Sequence, residues 1–329
     1  MEYRLWLVFI IGFIATFLMT RLWIKFAKKE DLVVKDVNKY NKQKVPSSGG
    51  LAVIFGFVLA VLFYIGLSVF VWNRTVHLVE IFAILTAILI ISFIGFIDDF
   101  TGGWKKGLKQ WQKPLLTLPA ALPLMAIKAG QSTMTLPFLG NIDLVWIYPI
   151  LLIPIGIVGA SQGFNMLAGM NGLTVSMGSV ILFALAMVAY ATGLPWLALI
   201  TATMVACLLA FLFFNNHPSK VFEGDVLRYP LGAMIALVAI LGNVERVALI
   251  LFIPFIIELV IKLKNKLKSE CYGIPKKDGT LAYPKKIGSF THVTMRFLAR
   301  LKIKVTERRV VNTLLALEFI LIIIAMFTV

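Results

Sequence analysis

Apolar runs long enough to cross a bilayer recur from one end of the chain to the other, separated by polar gaps. Candidate spans fall at about 3–24, 49–72, 78–97, 114–128, 144–162, 174–191, 195–214, 229–241, 247–263 and 310–328. A bilayer core takes roughly 20 apolar helical residues, so about ten such runs predict an all-α, polytopic membrane protein. The fourth and eighth runs are short, which suits a re-entrant or tilted segment. No inserted soluble domain, low-complexity stretch or repeat interrupts the pattern. Residues 1–329 therefore read as a single integral membrane domain, with 264–309 as its longest polar loop.

Composition sharpens this picture. Sixty per cent of the 329 residues are apolar and 15% charged, and the mean hydropathy is +0.91. A net charge of +16 would suggest a nucleic-acid partner in a soluble chain. Here the basic residues sit between apolar runs, so the bilayer is the partner and no nucleic acid is expected. Of 32 lysines and arginines, 28 fall in or beside the first, third, seventh and ninth gaps. Arg4, Arg74, Lys128 and Arg246 make up the opposite face. Basic residues concentrate in cytosolic loops, so both termini face outward and the odd-numbered gaps are cytosolic. The first run is followed by basic residues and no small-residue cleavage site, and reads as a retained span. Cys207 lies in an apolar run and Cys271 in a basic loop, which supports neither a disulfide framework nor a zinc site.

The residues with chemical potential share that cytosolic face. Asp98 and Asp99 stand together where the third span ends. A carboxylate deep in a bilayer costs about 2.5–3.5 kcal/mol, so the pair is either a solvated span end or a metal or general-base site. The fifth gap, residues 163–173, carries Asn165 and Asn171 among glycines and is almost free of charge. Such clusters form turns, and their amides can also ligate a hard cation or bond a base edge. The seventh gap gathers His217, Lys220, Phe222, Glu223 and Asp225 within eleven residues. If the loops converge, Asp98, Asp99, Asp225 and Asn165 suit one magnesium ion completed by substrate phosphates. Lys113 and the basic ninth gap would then supply counter-charge. This reading reaches a magnesium-dependent phosphoryl-transfer site under a bilayer, without naming the substrate.

Three segments carry a more specific resemblance: Phe93–Asp99, Asn165–Leu173 and Pro218–Asp225. In that order and on one face, they resemble the signatures of the polyprenyl-phosphate N-acetylhexosamine-1-phosphate transferases. The likeness runs from about Pro46 to the final span, and Asn171-Gly172-Leu173 resembles the eukaryotic and archaeal branch. It implies transfer of N-acetylglucosamine 1-phosphate, or a related N-acetylhexosamine 1-phosphate, from a UDP-sugar to dolichyl phosphate. UMP would be released in the first step of lipid-linked oligosaccharide and N-glycan assembly. By resemblance, Asn165 and Asp225 are ligands for magnesium, or manganese in its place. Phe222 stacks on uracil, with Asn171, Gly50 and Leu51 around the nucleoside. Lys113 binds phosphate, and Asp98 and Asp99 position or deprotonate the acceptor. The branch's eukaryotic members carry an Arg-His-Arg-type cluster before Ile274-Pro275, and this chain has neither arginine nor histidine there. Lys276 and Lys277 are then the expected diphosphate partners. The chain also lacks a longer late-loop insertion, which favours an archaeal plasma membrane over the endoplasmic reticulum. A homodimer is compatible with the resemblance. The rival from another class is a ten-span secondary transporter, for which Glu80 and Glu258 inside apolar runs would serve.

Overall fold

The computed structural model describes residues 5–104, 108–130, 133–136, 140–143 and 145–328. Arg4, Lys105 and Lys106, which entered the orientation count, lie outside those residues, as do the first residues of the spans expected at 3–24 and 144–162. Helix α1 (Leu5–Lys29) leads through a hairpin of β1 (Val33–Lys35) and β2 (Lys44–Pro46) into α2 (Gly50–Gly66), which a wider turn extends to Val71. Next come α3 (Leu78–Trp104), the short α4 (Gln112–Thr117) and α5 (Leu122–Ala126). A hairpin of β3 (Thr133–Leu136) and β4 (Gly140–Asp143) precedes α6 (Ile153–Met166), α7 (Leu173–Ala191), α8 (Pro195–Asn215) and α9 (Asp225–Gly242). Helices α10 (Glu245–Leu251) and α11 (Ile253–Lys264) lead to the long polar loop. That loop folds as the hairpin β5 (Ile274–Pro275) with β6 (Leu281–Ala282), then α12 (Phe290–Arg300), before α13 (Glu307–Met326).

Among the described residues, eight helices are long and apolar enough to cross a membrane. The other two expected spans are broken. Pro114, Pro119 and Pro123 divide 112–126 into α4, a tight 3₁₀ turn and α5, and Pro254 stands where α11 restarts after α10. A proline lacks the amide donor and crowds the carbonyl one turn back, so each begins a fresh short helix. Two boundaries differ usefully from the hydropathy pattern. Helix α3 continues past residue 97, so Asp98 and Asp99 are helical and do not open a loop. Helix α9 starts at Asp225, four residues before the apolar run, so that carboxylate heads a helix.

Helix α9 is the central post, packed against α2, α3, α6, α7 and α8. Every residue from Asp225 to Ile240 is buried except Arg228, which is half-buried. In lipid the helices gain little from hydrophobicity alone, and close approach of small residues holds them together. Gly95 of α3 lies directly on the backbone of Asp225, and Gly232 of α9 lies on the carbonyl of Ala160 in α6. Those contacts set α3 and α6 on either side of α9, which brings three of the signature segments to one end of the bundle.

The polar loop is pinned as well. Glu258 of α11 accepts hydrogen bonds from the Ser289 hydroxyl at 2.9 Å and the Phe290 amide at 2.6 Å, capping α12 from another helix. Its neighbour Lys262 lies 3.6 Å away. Glu80 stands near the start of α3, 3.6 Å from His77. Neither acid occupies the middle of a transport path.

A Cβ at Gly95 would fall 2.3 Å from the Asp225 carbonyl oxygen and 2.8 Å from the Val226 Cα. Gly95→Ala should therefore lower stability by about 1–3 kcal/mol, the usual cost of overpacking, read as a lower melting temperature in detergent. Gly66→Ala, where a Cβ meets nothing within 4 Å, should melt like the wild type.

Candidate active site

The site is built on the first turn of α9. A helix start leaves amide donors without intrahelical partners, and here a carboxylate from another helix takes two of them. Asp99 accepts from the amides of Asp225 at 2.8 Å and Val226 at 3.2 Å. Its negative charge also complements the helix dipole. Gly224 makes this possible: its φ is +72°, and a Cβ there would lie 2.2 Å from the Asp99 Oδ2. Only glycine combines that backbone with that closeness.

Asp98 faces the other way around α3. Its Oδ2 accepts from the Tyr229 hydroxyl at 2.7 Å and pairs with the Lys113 ammonium at 2.7 Å; its Oδ1 accepts from the Leu108 amide at 3.0 Å. Lys113 also reaches Asp225 at 3.4 Å. Beyond Asp225, the Arg228 guanidinium donates to that carboxylate at 3.3 Å and to Glu223 at 3.0 Å, and Asn215 closes the row on Glu223 at 3.0 Å. Charges thus alternate along Asp98, Lys113, Asp225, Arg228 and Glu223. Burial raises the Glu223 carboxyl, but the adjacent Arg228 and Asn215 outweigh it and hold Glu223 below the usual carboxylate range.

Beside this row opens a cavity of about 240 Å³, walled by Asp36, Asn38, Asn171, Phe222, Arg228 and Tyr272 among others. Backbone pairing places the ring of Phe222: its amide donates to the Pro46 carbonyl at 2.8 Å, and its carbonyl accepts from Gly49 at 2.9 Å. Asn171 is held twice, its amide N–H on Glu307 at 2.7 Å and its side-chain NH₂ on Asp36 at 3.1 Å. Asn38 donates to the Gly169 carbonyl at 2.6 Å and accepts from the Gly273 amide at 3.0 Å, tying three loops together. Lys39 pairs with Glu307 at 2.5 Å and meets His217 at 2.7 Å. Burial and the nearby Lys39 lower the His217 pKa, with Glu307 opposing them.

The structure thus gathers Asp98, Asp99, Lys113 and Asp225, with Phe222 and Asn171 in the adjoining wall. Gly50 and Leu51 lie one layer back: the Gly50 amide is already bonded to the Glu223 carbonyl at 2.9 Å, and neither lines the cavity. Lys276 and Lys277 are exposed on the β5–β6 hairpin, with Lys277 5.9 Å above the Tyr40 ring, and they too stand outside the cavity wall. Asn165 is half-buried in the last turn of α6, the helix packed along α9, and its amide makes no hydrogen bond among the described residues. Sequence reasoning missed the roles of Arg228, Glu223, Asp36, Asn38 and Glu307. An Asp and an Asn amid the lysines of the first gap were the available signal for two of them.

Four carboxylates against two cations leave the cluster short of positive charge before any phosphate arrives. Among the described residues no group of three His, Cys, Asp or Glu side chains is arranged to hold a metal alone. The Asp225 carboxylate, shared with Lys113 and Arg228, and the Asn165 amide, unbonded among the described residues, offer hard oxygens. They fit a magnesium ion that takes its other ligands from water and phosphate.

Fold and site together define an integral membrane protein with a carboxylate-rich, phosphate-suited site at one end of its helix bundle. The chain belongs to glycosyl transferase family 4, whose sequence profile matches residues 81–243. It is 34% identical to a Saccharolobus solfataricus protein over 318 residues, 96% of this chain and 94% of that one. With a Sulfolobus acidocaldarius protein it shares 30% over 290 residues, 87% of this chain and 86% of the relative. Both are named for UDP-N-acetylglucosamine–dolichyl-phosphate N-acetylglucosaminephosphotransferase activity. A phospho-N-acetylmuramoyl-pentapeptide-transferase of Halalkalibacterium halodurans is 31% identical over 270 residues, 78% of this chain and 81% of the relative. These relatives agree with the resemblance carried by the three signatures and do not favour the transporter alternative.

The depressed Glu223 pKa has a defined consequence for pH. A carboxyl held low in the fold adds stability above its unfolded pKa of about 4.3, and that contribution is lost as pH falls toward the lower folded value. Glu223→Gln should melt lower than the wild type at neutral pH and lose less on acidification below about pH 4.3. Thermal melts in detergent across pH 3–7 check this; parallel curves for the two proteins would remove Glu223 from the acid response.

Proposed function

We propose that this chain transfers N-acetylglucosamine 1-phosphate, or a closely related N-acetylhexosamine 1-phosphate, from its UDP-sugar to dolichyl phosphate, releasing UMP. The observation that supports it most is the row from Asp98 to Glu223 running beside a cavity with a phenyl ring and an oriented asparagine. The names of the archaeal relatives agree with it. The setting that suits it is the cytosolic face of an archaeal plasma membrane, where the product would begin N-glycan assembly.

In this reading Phe222 stacks on the uracil ring, and Asn171, fixed by Glu307 and Asp36, presents its amide to the base edge. Arg228 spends one donor each on Glu223 and Asp225. A guanidinium has five, so others remain for diphosphate oxygens at the cavity wall. Lys113, set between Asp98 and Asp225, faces phosphate from the other side. Asp225 and Asn165 would hold magnesium, which when bound supplies positive charge to phosphate oxygens.

The transfer forms a bond from an oxygen of dolichyl phosphate to the β-phosphorus of the donor. The bond from that phosphorus to the bridging oxygen breaks, and UMP leaves with that oxygen. The chain's contribution is positioning and electrostatics. A phosphoryl-enzyme is disfavoured because Asp99 has both oxygens on α9 amides and Asp98 is held by Tyr229, Lys113 and the Leu108 amide. Both carboxylates are held in place by these bonds, which weakens them as nucleophiles.

Purified protein given radiolabelled UDP-N-acetylglucosamine, dolichyl phosphate and magnesium should yield an organic-extractable pyrophosphate-linked lipid and equimolar UMP. Intact labelled donor trapped inside sealed vesicles, without UMP, would contradict the proposal.

The two sources of diphosphate counter-charge are separable by kinetics. Losing a charge-assisted bond costs about 1.5–3 kcal/mol, so Arg228→Lys should raise the donor KM tenfold or more. Lys276→Ala with Lys277→Ala should raise it severalfold at most, and the dolichyl phosphate KM should hold in both. A larger effect in the lysine pair would move the diphosphate to the β5–β6 hairpin.

A further inference from the structure

Away from the candidate active site, an open hollow of about 730 Å³ lies where α1, β2, the end of α8 and the loop after it meet. Five cations line it: Arg21, Lys25 and Lys28 from α1, Lys44 from β2, and Lys220 from the loop. The three on α1 are spaced four and three residues apart, which puts them on one helix face. No acidic residue lines the hollow. Of the five, Lys44 alone has a carboxylate partner among the described residues, the exposed Asp31 at 3.3 Å. Between the cations the wall is mostly apolar, formed by Ile24, Val45, Pro46 and Phe214, with the polar Gln43 and Ser219.

Depth says what such a hollow meets. The 25 residues of α1 rise about 37 Å at 1.5 Å each, against a hydrocarbon core of about 30 Å. The C-terminal end of α1 therefore passes through the headgroup layer, and Arg21 to Lys28 are the residues that do so. Below them, Ile14 and Leu18 expose more than half their surface to the bilayer, and so does Phe213 of α8. Cations at headgroup level above an apolar face match an anionic lipid: its phosphate in the hollow, its chains against α1 and α8.

We propose that this hollow is a binding site for the phosphate-bearing headgroup of an anionic membrane lipid, separate from both substrates of the proposed reaction. Five cations from three elements, four of them without a carboxylate partner among the described residues, repel one another, and one phosphate between them converts that repulsion into a cross-link. The cross-linked elements carry the active-site wall. Pro46, in the floor of the hollow, accepts the Phe222 amide at 2.8 Å, and the Lys220 amide bonds the Phe214 carbonyl at 2.8 Å. The indole of Trp23, next to Ile24, donates to the Ser47 carbonyl at 2.7 Å. A headgroup seated here holds the backbone that presents Phe222 to the cavity on its far side.

The test uses the full chain in detergent, with phosphatidylglycerol, phosphatidylcholine or inorganic phosphate as probes. Native mass spectrometry and thermal melting should show retention of phosphatidylglycerol over phosphatidylcholine, with a higher melting temperature in its presence. At about 1 kcal/mol per surface cation, Lys25→Gln, Lys28→Gln and Lys220→Gln combined should reduce that retention about tenfold or more and abolish the thermal shift. The matched control, Lys264→Gln, Lys266→Gln and Lys268→Gln, removes three exposed cations elsewhere on the same face and should retain both. Equal losses in the two triple variants would show diffuse attraction to the basic face and overturn the site. A full thermal shift from millimolar inorganic phosphate in phosphatidylcholine would overturn the lipid assignment in favour of a soluble anion. Neither readout depends on transferase activity.

Discussion

The rest of the site depends on one carboxylate on a foreign helix. Asp99 of α3 accepts the first two amides of α9, groups that would cost about 1–3 kcal/mol each if buried without partners. Because both partners are backbone, the bond fixes the start and direction of α9 along with its contact to α3. Gly95 and Gly224 are the two openings that let the helices come close enough. Once α9 is set, Asp225 projects at its head, Arg228 follows one turn on, and Tyr229 turns back to Asp98. Asp99 thereby organises the site, with one α9 amide on each of its oxygens.

The electrostatics follow from that frame. Asp98, Lys113, Asp225, Arg228 and Glu223 alternate in sign along a short line, so each buried carboxylate has a half-buried cation beside it. Buried ion pairs are poor evidence of stability, since desolvation offsets most of their attraction. Here the acids outnumber the bases, an arrangement that suits a place where cations are exchanged with incoming phosphate. The same excess would be a liability in a protein that handled no polyanion.

The helical class and most spans were legible in the sequence because lipid imposes a simple rule on runs of apolar residues. Of the two passes that hydropathy rendered short, the fourth is broken at Pro114, Pro119 and Pro123, whereas the eighth is the full-length α9; the ninth, of ordinary length by hydropathy, is the one divided at Pro254. Asp98, Asp99, Asp225, Phe222 and Asn171 were legible from motif chemistry, and the structure brings them to one end of the bundle. What hydropathy could not read was pairing across long stretches of chain. That Asp99 caps the first turn of α9 is visible only once the amides of Asp225 and Val226 are seen on it. Arg228 counts as one more basic residue until its place in the cavity wall is known. Glu307 is an ordinary first-turn glutamate until Asn171, 136 residues earlier, is found bonded to it.

That last pairing has a consequence for how the protein is made. The loop carrying Asn171 emerges from the ribosome well before Glu307, which heads the final helix. Until α13 has been synthesised and threaded into the bilayer, the Asn171 amide has no carboxylate, Lys39 has no counter-ion, and Asn38 lacks one of its two acceptors. The cavity wall is thus completed only once α13 is in place. A nascent chain with its earlier helices already in the membrane would not yet have a finished cavity wall.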